Sequence, residues 1–195
     1  MQMTLRGTVF SALFAAIVVL FGYVSIPLGF TPVPITLQTL GVMLAGGLLG
    51  ARYGLISMLL IVVLTALGFP LLHGTGGLGV LLGPTGGYVI MWPLSAFLTG
   101  LLLSRIRMNG FIGYMAGFVV LEVFGSLLLY VTGVPWLAHA VGITLDKAMV
   151  AGFYPYLLGD LIKAIVATLV IGPVRQVFPA ERLTGSSSGK VISAD

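Results

Sequence analysis

The chain has 195 residues, of which 58% are hydrophobic and 7% charged, with a mean hydropathy of +1.16; a soluble domain carries roughly 25% charge, so this is an integral membrane protein with room for one compact bundle. The lack of cysteine excludes disulfides and thiolate chemistry, and His73 and His139 stand far outside short metal-ligand spacings, so no metal or cofactor is expected. A net charge of +4 invites an anionic partner, but the positions of the cations point elsewhere.

Six apolar runs predict an all-α fold of six transmembrane helices, over about 8–24, 35–50, 53–70, 86–104, 110–132 and 152–173. The first follows Arg6 and resembles the other five, so no cleaved signal is expected. It carries two strips of small residues, Ala12 with Ala16 and Ser11 with Ala15, whose plain reading is packing inside the bundle. The second run is short for a span of about 20 residues, which suggests little tilt or a re-entrant start. Before it, Pro27, Pro32 and Pro34 forbid regular helix over 25–38.

Between the third and fourth runs lies GFPLLHGTGGLGVLLGPTGGY (68–88), with eight glycines and two prolines in 21 residues. It keeps Leu71, Leu72, Leu78, Val80, Leu81 and Leu82, unlike a solvated linker, and suggests an apolar lid folded over the helices. No GxxxxGK[ST] is present, so a nucleotide loop is disfavoured. Gln38 and Tyr88, at the ends of the second and fourth helices beside this loop, are placed to hydrogen-bond a solute or to sit at the membrane interface. The segment that leads from Gly133 to Lys147 is expected as a loop, with Trp136 as an interface anchor in its plain reading. Glu122, in the fifth run, has no partner that the sequence names; it is held neutral, faces a cavity or takes part in proton coupling.

The sixth run, LLGDLIKAIV (157–166), holds two opposite charges three residues apart. Asp160 falls about 12 Å into the expected helix at 1.5 Å per residue, and Lys163 shares its face. An isolated charge there costs several kcal/mol, so both must face protein or water. Two readings stand: an internal pair that only neutralises itself, as in a structural membrane subunit, or a site beneath the Gly-rich loop for a small polar solute.

Seven of the nine basic residues (Arg6, Arg52, Arg105, Arg107, Arg175, Arg182 and Lys190) fall on one side of the predicted spans. Only Lys147, beside Asp146, falls on the other. By the positive-inside rule both termini are cytoplasmic. Cations spread over four separate segments make no stripe for nucleic acid. The membrane domain is expected over 1–179, followed by a polar, disordered tail over 180–195. No Ser-His or His-carboxylate constellation speaks for an enzyme.

The runs GFTPVPITLQTLGVMLAG (29–46), GLLGARYGLIS (47–57), LGPTGGYVI (82–90), GVPWLA (133–138) and LLGDLIKAIVA (157–167) together resemble the BioY family. These are the substrate-binding S components of energy-coupling factor (ECF) biotin transporters, and the likeness runs in order over about residues 8–175. It implies a six-helix bundle in a prokaryotic plasma membrane, with biotin as transported substrate in an outer cavity. Asp160 and Lys163 match the family's sixth-helix polar pair. Thr75, Gly76 and Gly77 match its lid, with Thr75 where some members have Asn. Val89 stands where some members carry Arg, so a carboxylate clamp is absent there. The Ala12–Ala16 strip matches the surface that packs on the ECF transmembrane coupling protein, which shifts the favoured reading of that strip from packing to partner. Two cytoplasmic ATPases would drive that protein and topple the S component, consistent with a chain that has no Walker motif. An S component for another small vitamin is the nearest alternative.

Overall fold

Thr4 starts the first helix: its hydroxyl accepts from the Gly7 N–H at 3.0 Å and caps α1 (Leu5–Tyr23). The computed structural model describes residues 3–185. After α1, a two-residue ladder pairs β1 (Ser25–Ile26) with β2 (Ile35–Thr36) in antiparallel register. The proline-bearing segment between them is a hairpin, not helix.

The element α2 (Gln38–Ala66) is interrupted at Gly50, whose φ of 77° and ψ of 178° no helix contains. A Cβ on Gly54 would lie 2.9 Å from the Gly46 Cα. Eight residues of straight helix span about 12 Å, so the chain doubles back at Gly50 and its two halves pack side by side. The positive φ suits glycine alone, and the small faces of Gly46 and Gly54 permit the contact. The turn falls between the predicted second and third helices.

A loop with a single short helix, α3 (Leu78–Leu81), leads into α4 (Gly86–Leu103). Next, α5 (Gly110–Glu122), a π-helical segment (Val123–Leu127) and α6 (Leu128–Val141) form one continuous apolar stretch of 32 residues. The helix therefore runs through 133–141, where a loop was expected. Tertiary packing outweighs the local Gly and Pro signals there: Val134 and Leu137 are core, and Gly133 lies against the Tyr88 ring.

The sixth predicted helix also differs. Its first part is a separate helix, α7 (Leu145–Gly152), joined by a 3₁₀ turn (Tyr154–Tyr156) to α8 (Leu157–Val177). Phe153, at φ −131° and ψ −67°, breaks the ladder ahead of Pro155. Asp160 thus lies in the first turn of α8, and its burial comes from α6 and the Tyr154–Tyr156 turn rather than from depth along one helix.

The expected disordered tail is corrected at its start. Residues Ala180–Thr184 form α9, with Ala180 and Thr184 buried and the Thr4 hydroxyl donating to the Thr184 carbonyl. Ala180 and Thr184 have a surface to pack on, which polarity alone does not register. The rest of that tail, with Lys190, lies outside the described residues.

Five helical stretches are long and apolar enough to cross a membrane among the described residues: Leu5–Tyr23, Gln38–Ala66, Gly86–Leu103, Gly110–Val141 and Leu145–Val177. Val18, Val42, Met43, Met58 and Ile61 are sealed inside, while Leu5, Leu20, Leu158 and Leu169 point outward as a lipid-facing surface should. One end of the bundle is tied together by Thr4 N–H to the Tyr53 hydroxyl at 2.9 Å and Gln176 Nε2 to the Met108 carbonyl at 2.9 Å. Six arginines cluster in sequence around these ties: Arg6, Arg52, Arg105, Arg107, Arg175 and Arg182. The β-hairpin, the Gly-rich loop and the start of α8 lie at the other end.

Candidate functional site

Asp160 and Lys163 share one face of α8 and are 3% and 7% exposed. Lys163 Nζ donates to Asp160 Oδ1 at 2.8 Å. The second carboxylate oxygen, Oδ2, accepts from Ser126 Oγ at 2.8 Å and from the Tyr130 hydroxyl. Ser126 belongs to the π-helical segment and Tyr130 to the next turn of α6; the extra residue of the π turn sets the phase that brings both to α8. The carboxyl group thus has three donors, which fix its position. Among the described residues Asp160 is the one group bonded to Lys163 Nζ, leaving two N–H donors of the ammonium open.

Both residues line a cavity of about 80 Å³ at the end of the bundle away from the arginines. Its walls are aromatic. Tyr88 and Tyr130 meet edge to face with centroids 5.8 Å apart, and Tyr130 meets Phe153 at 4.9 Å. The Tyr88 hydroxyl donates to the Gly152 carbonyl at 2.9 Å and the Tyr156 hydroxyl to the Val33 carbonyl, so α4, α7 and the hairpin are locked around the space. Trp92 and Leu129 add apolar surface, and Leu72 and His73 from the Gly-rich loop complete the lining. Partial desolvation holds the His73 imidazole below its ordinary pKa, so it is neutral at pH 7. Gln38, 4% exposed, accepts from Thr36 Oγ1 at 3.3 Å, while its Nε2 has no partner among the described residues.

Four residues singled out from sequence therefore meet at one cavity: Gln38, Tyr88, Asp160 and Lys163. Thr75, Gly76 and Gly77 do not line it. They shape the loop instead. Leu72 and Thr75 exchange backbone hydrogen bonds of 3.1 and 2.9 Å, and the Gly77 N–H donates to the Thr65 carbonyl at 2.7 Å. A Cβ on Gly76 would stand 2.1 Å from the Phe69 carbonyl oxygen. This turn presents Leu72 and His73 to the cavity. Trp136 donates from Nε1 to the Gly83 carbonyl at 3.0 Å and ties the loop's far end to α6. Ala12 and Ala16 lie on the exposed face of α1 and are not part of the cavity lining, whereas Ser11 and Ala15 are buried. Glu122 has one buried carboxyl oxygen without a partner among the described residues and is not part of the lining.

Sequence reasoning missed Ser126, Tyr130, Tyr156, Trp92 and His73. A signal existed for two of them: Glu122, Ser126 and Tyr130 recur every fourth residue, a polar stripe along an otherwise apolar helix. The arrangement suits a small, flat, uncharged head with both donors and acceptors, carried on an apolar body.

The BioY family matches residues 1–180 of the chain. This chain belongs to the BioY family. The biotin transporter BioY of Rhizobium etli is 42% identical over 182 residues, covering 91% of this chain and 97% of that protein. That of Rhodobacter capsulatus is 40% identical over 188 residues, with the same coverage of 91% and 97%. Among solved structures, the crystal structure of the S-component for biotin from an ECF-type ABC transporter superposes with a TM-score of 0.81 at 34% identity, over 90% of this chain and 95% of that one. The BioY resemblance read from five short runs thus extends over almost the whole chain, in sequence and in fold.

Proposed function

We propose that this chain captures biotin in the Asp160–Lys163 cavity and acts as the substrate-specific S component of an ECF-type ABC transporter, in a prokaryotic plasma membrane and with no resident cofactor. The observation that carries the reading is the buried Asp160 carboxylate, whose three donors leave one of its roughly four acceptor sites open, beside a Lys163 ammonium with two open donors, inside an aromatic cavity. A cyclic urea has two N–H donors and one strong acceptor oxygen. It answers an acid and a base held side by side, whereas a carboxylate would answer the base alone and be repelled by the acid. The ureido head of biotin therefore goes to Asp160 and Lys163, and Gln38 has a free amide group for a further contact. At about 80 Å³ the space is small for the whole vitamin, so binding requires the loop bearing Leu72 and His73 to shift outward and close again.

The membrane unit, residues 1–179, is counted as six spans when the two halves of α2 are taken separately on either side of Gly50. The arginine-bearing end, which holds Thr4 and α9, faces the cytoplasm, and both termini with it. Ala12 and Ala16 face outward on α1 and form the contact for a transmembrane coupling protein, with two ATPase subunits supplying the energy that this chain has no motif to provide.

Isothermal titration of biotin-depleted protein in detergent tests the substrate. Saturable binding of biotin, with weaker competition from desthiobiotin and lipoate, is the expected result. Preference for another small vitamin would assign the site to that vitamin instead. Biotin affinity unchanged in a folded Lys163→Ala variant would leave the pair as a purely structural device.

A further inference from the structure

A second cavity lies at the arginine-bearing end, between the loop that joins α4 to α5 and the last turn of α8. Its volume is about 310 Å³. The loop side contributes Ser104, Arg107 and Asn109; the α8 side contributes Gly172, Arg175 and Gln176. The walls are built rather than incidental. Gln176 Nε2 donates to the Met108 carbonyl at 2.9 Å and fastens loop to helix, and Gly172 lets the Tyr114 ring of α5 close against α8.

Arg175 Nη1 is buried with no hydrogen-bond partner among the described residues. A guanidinium offers five donors in a fork that fits phosphate or carboxylate, and a buried one left unmade is costly. Glu181, on the rim, attracts Arg175 but forms no ion pair with it within 4.0 Å; the Asp160–Lys163 pair is the one such bridge among the described residues. Two arginines against one carboxylate leave the cavity cationic. Beside it the surface is greasy: Phe111 and Ile112, just after Asn109, are 80% and 83% exposed, and Val177 and Phe178 also point outward. Cations next to bare apolar side chains at the end of a membrane bundle match an amphiphile with an anionic head, not a free ion.

We infer that this cavity holds the phosphate of an anionic phospholipid from the leaflet at the arginine-bearing end. Arg175 and Arg107 donate to the phosphate oxygens, and the acyl chains run along Phe111 and Ile112. The inference rests on the membrane reading above but not on biotin, so the two fail separately. A lipid bound here clamps the α4–α5 loop to α8 at the end opposite the substrate cavity.

The test is native mass spectrometry of the full chain released from nanodiscs of mixed phosphatidylglycerol and phosphatidylcholine. Phosphatidylglycerol adducts should be retained over phosphatidylcholine, and Arg175→Gln and Arg107→Gln should each lower that retention about fivefold or more. Arg105→Gln, at the same end but outside the cavity, should leave it unchanged. Arg107 is exposed on a loop, so its variant still reads the site should Arg175→Gln fold poorly. Equal losses in Arg105→Gln would reduce the effect to general surface charge and overturn the site. Displacement of the lipid by inorganic phosphate alone would overturn the lipid assignment in favour of a free anion. Suppression of adducts by a co-purified membrane protein whose capture needs Arg175 would overturn it in favour of a protein carboxylate.

Discussion

Asp160 accepts from three hydrogen-bond donors, and Lys163 has one acceptor. That asymmetry separates the consequences of removing either residue. In Lys163→Met, Ser126 and Tyr130 still donate to the carboxylate, so the loss of its counter-charge should lower the melting temperature less than in Asp160→Ala and leave a folded protein. Biotin affinity should fall about 100-fold, the loss of one or two hydrogen bonds to a charged group. In Asp160→Ala the ammonium is left buried without its counter-charge, which costs about 3–5 kcal/mol and should lower the melting temperature sharply before any ligand is added. Titration calorimetry and thermal unfolding on both variants read the difference; equal effects on both measurements would contradict this division of labour. The pair itself was legible in the sequence because charge in an apolar run has few explanations. Its supporting hydroxyls were not, since a serine and a tyrosine on a membrane helix are unremarkable until a π turn sets their phase toward α8.

The elements around the cavity show what sequence signals can and cannot locate. Prolines at 27, 32 and 34 did exclude helix before Gln38, and the expected boundary between the second and third runs falls close to the Gly50 turn. The Pro135 region misled, because whether a proline ends a helix depends on what packs against it; here Gly133, Val134 and Leu137 are held by α4 and the core. In the Gly-rich loop the residue types were informative and their roles were not. Glycines promised close backbone approach, and Gly76 against the Phe69 carbonyl is such an approach, but the side chains that reach the cavity are the neighbouring Leu72 and His73. It follows that Gly76→Ala should act on the loop and not on the polar contacts. The clash is with backbone that no rotamer change relieves, so the turn must open. Biotin should then dissociate about tenfold faster or more while the association rate and melting temperature change little. Stopped-flow measurement of both rates checks this; an unchanged dissociation rate would show that the loop does not retain the ligand.

At the scale of the molecule, two ends of one bundle carry different chemistry, with a lipid-facing belt between them. The sequence showed this polarity through its arginines, yet it could not tell which small-residue strip on α1 faced inward. The fold divides them: Ser11 and Ala15 pack inside, with Ser11 Oγ donating to the Tyr53 carbonyl at 3.1 Å, while Ala12 and Ala16 remain exposed beside Val9, Leu13 and Leu20. A smooth strip on a lipid-facing helix lets another helix approach closely, and bulk there blocks approach without touching the interior. The double variant Ala12→Leu, Ala16→Leu should therefore keep its melting temperature and its biotin affinity, because both positions are exposed and outside the cavity lining. Co-purification with the coupling protein should be lost, and with it ATP-dependent biotin uptake into vesicles that contain the complete module. The matching change on the buried strip, Ser11→Leu with Ala15→Leu, should instead lower the melting temperature by overpacking against α2. If the exposed-strip variant still assembles and drives uptake, the coupling surface lies on another helix; if it loses biotin binding as well, the strip and the substrate cavity are not independent of one another.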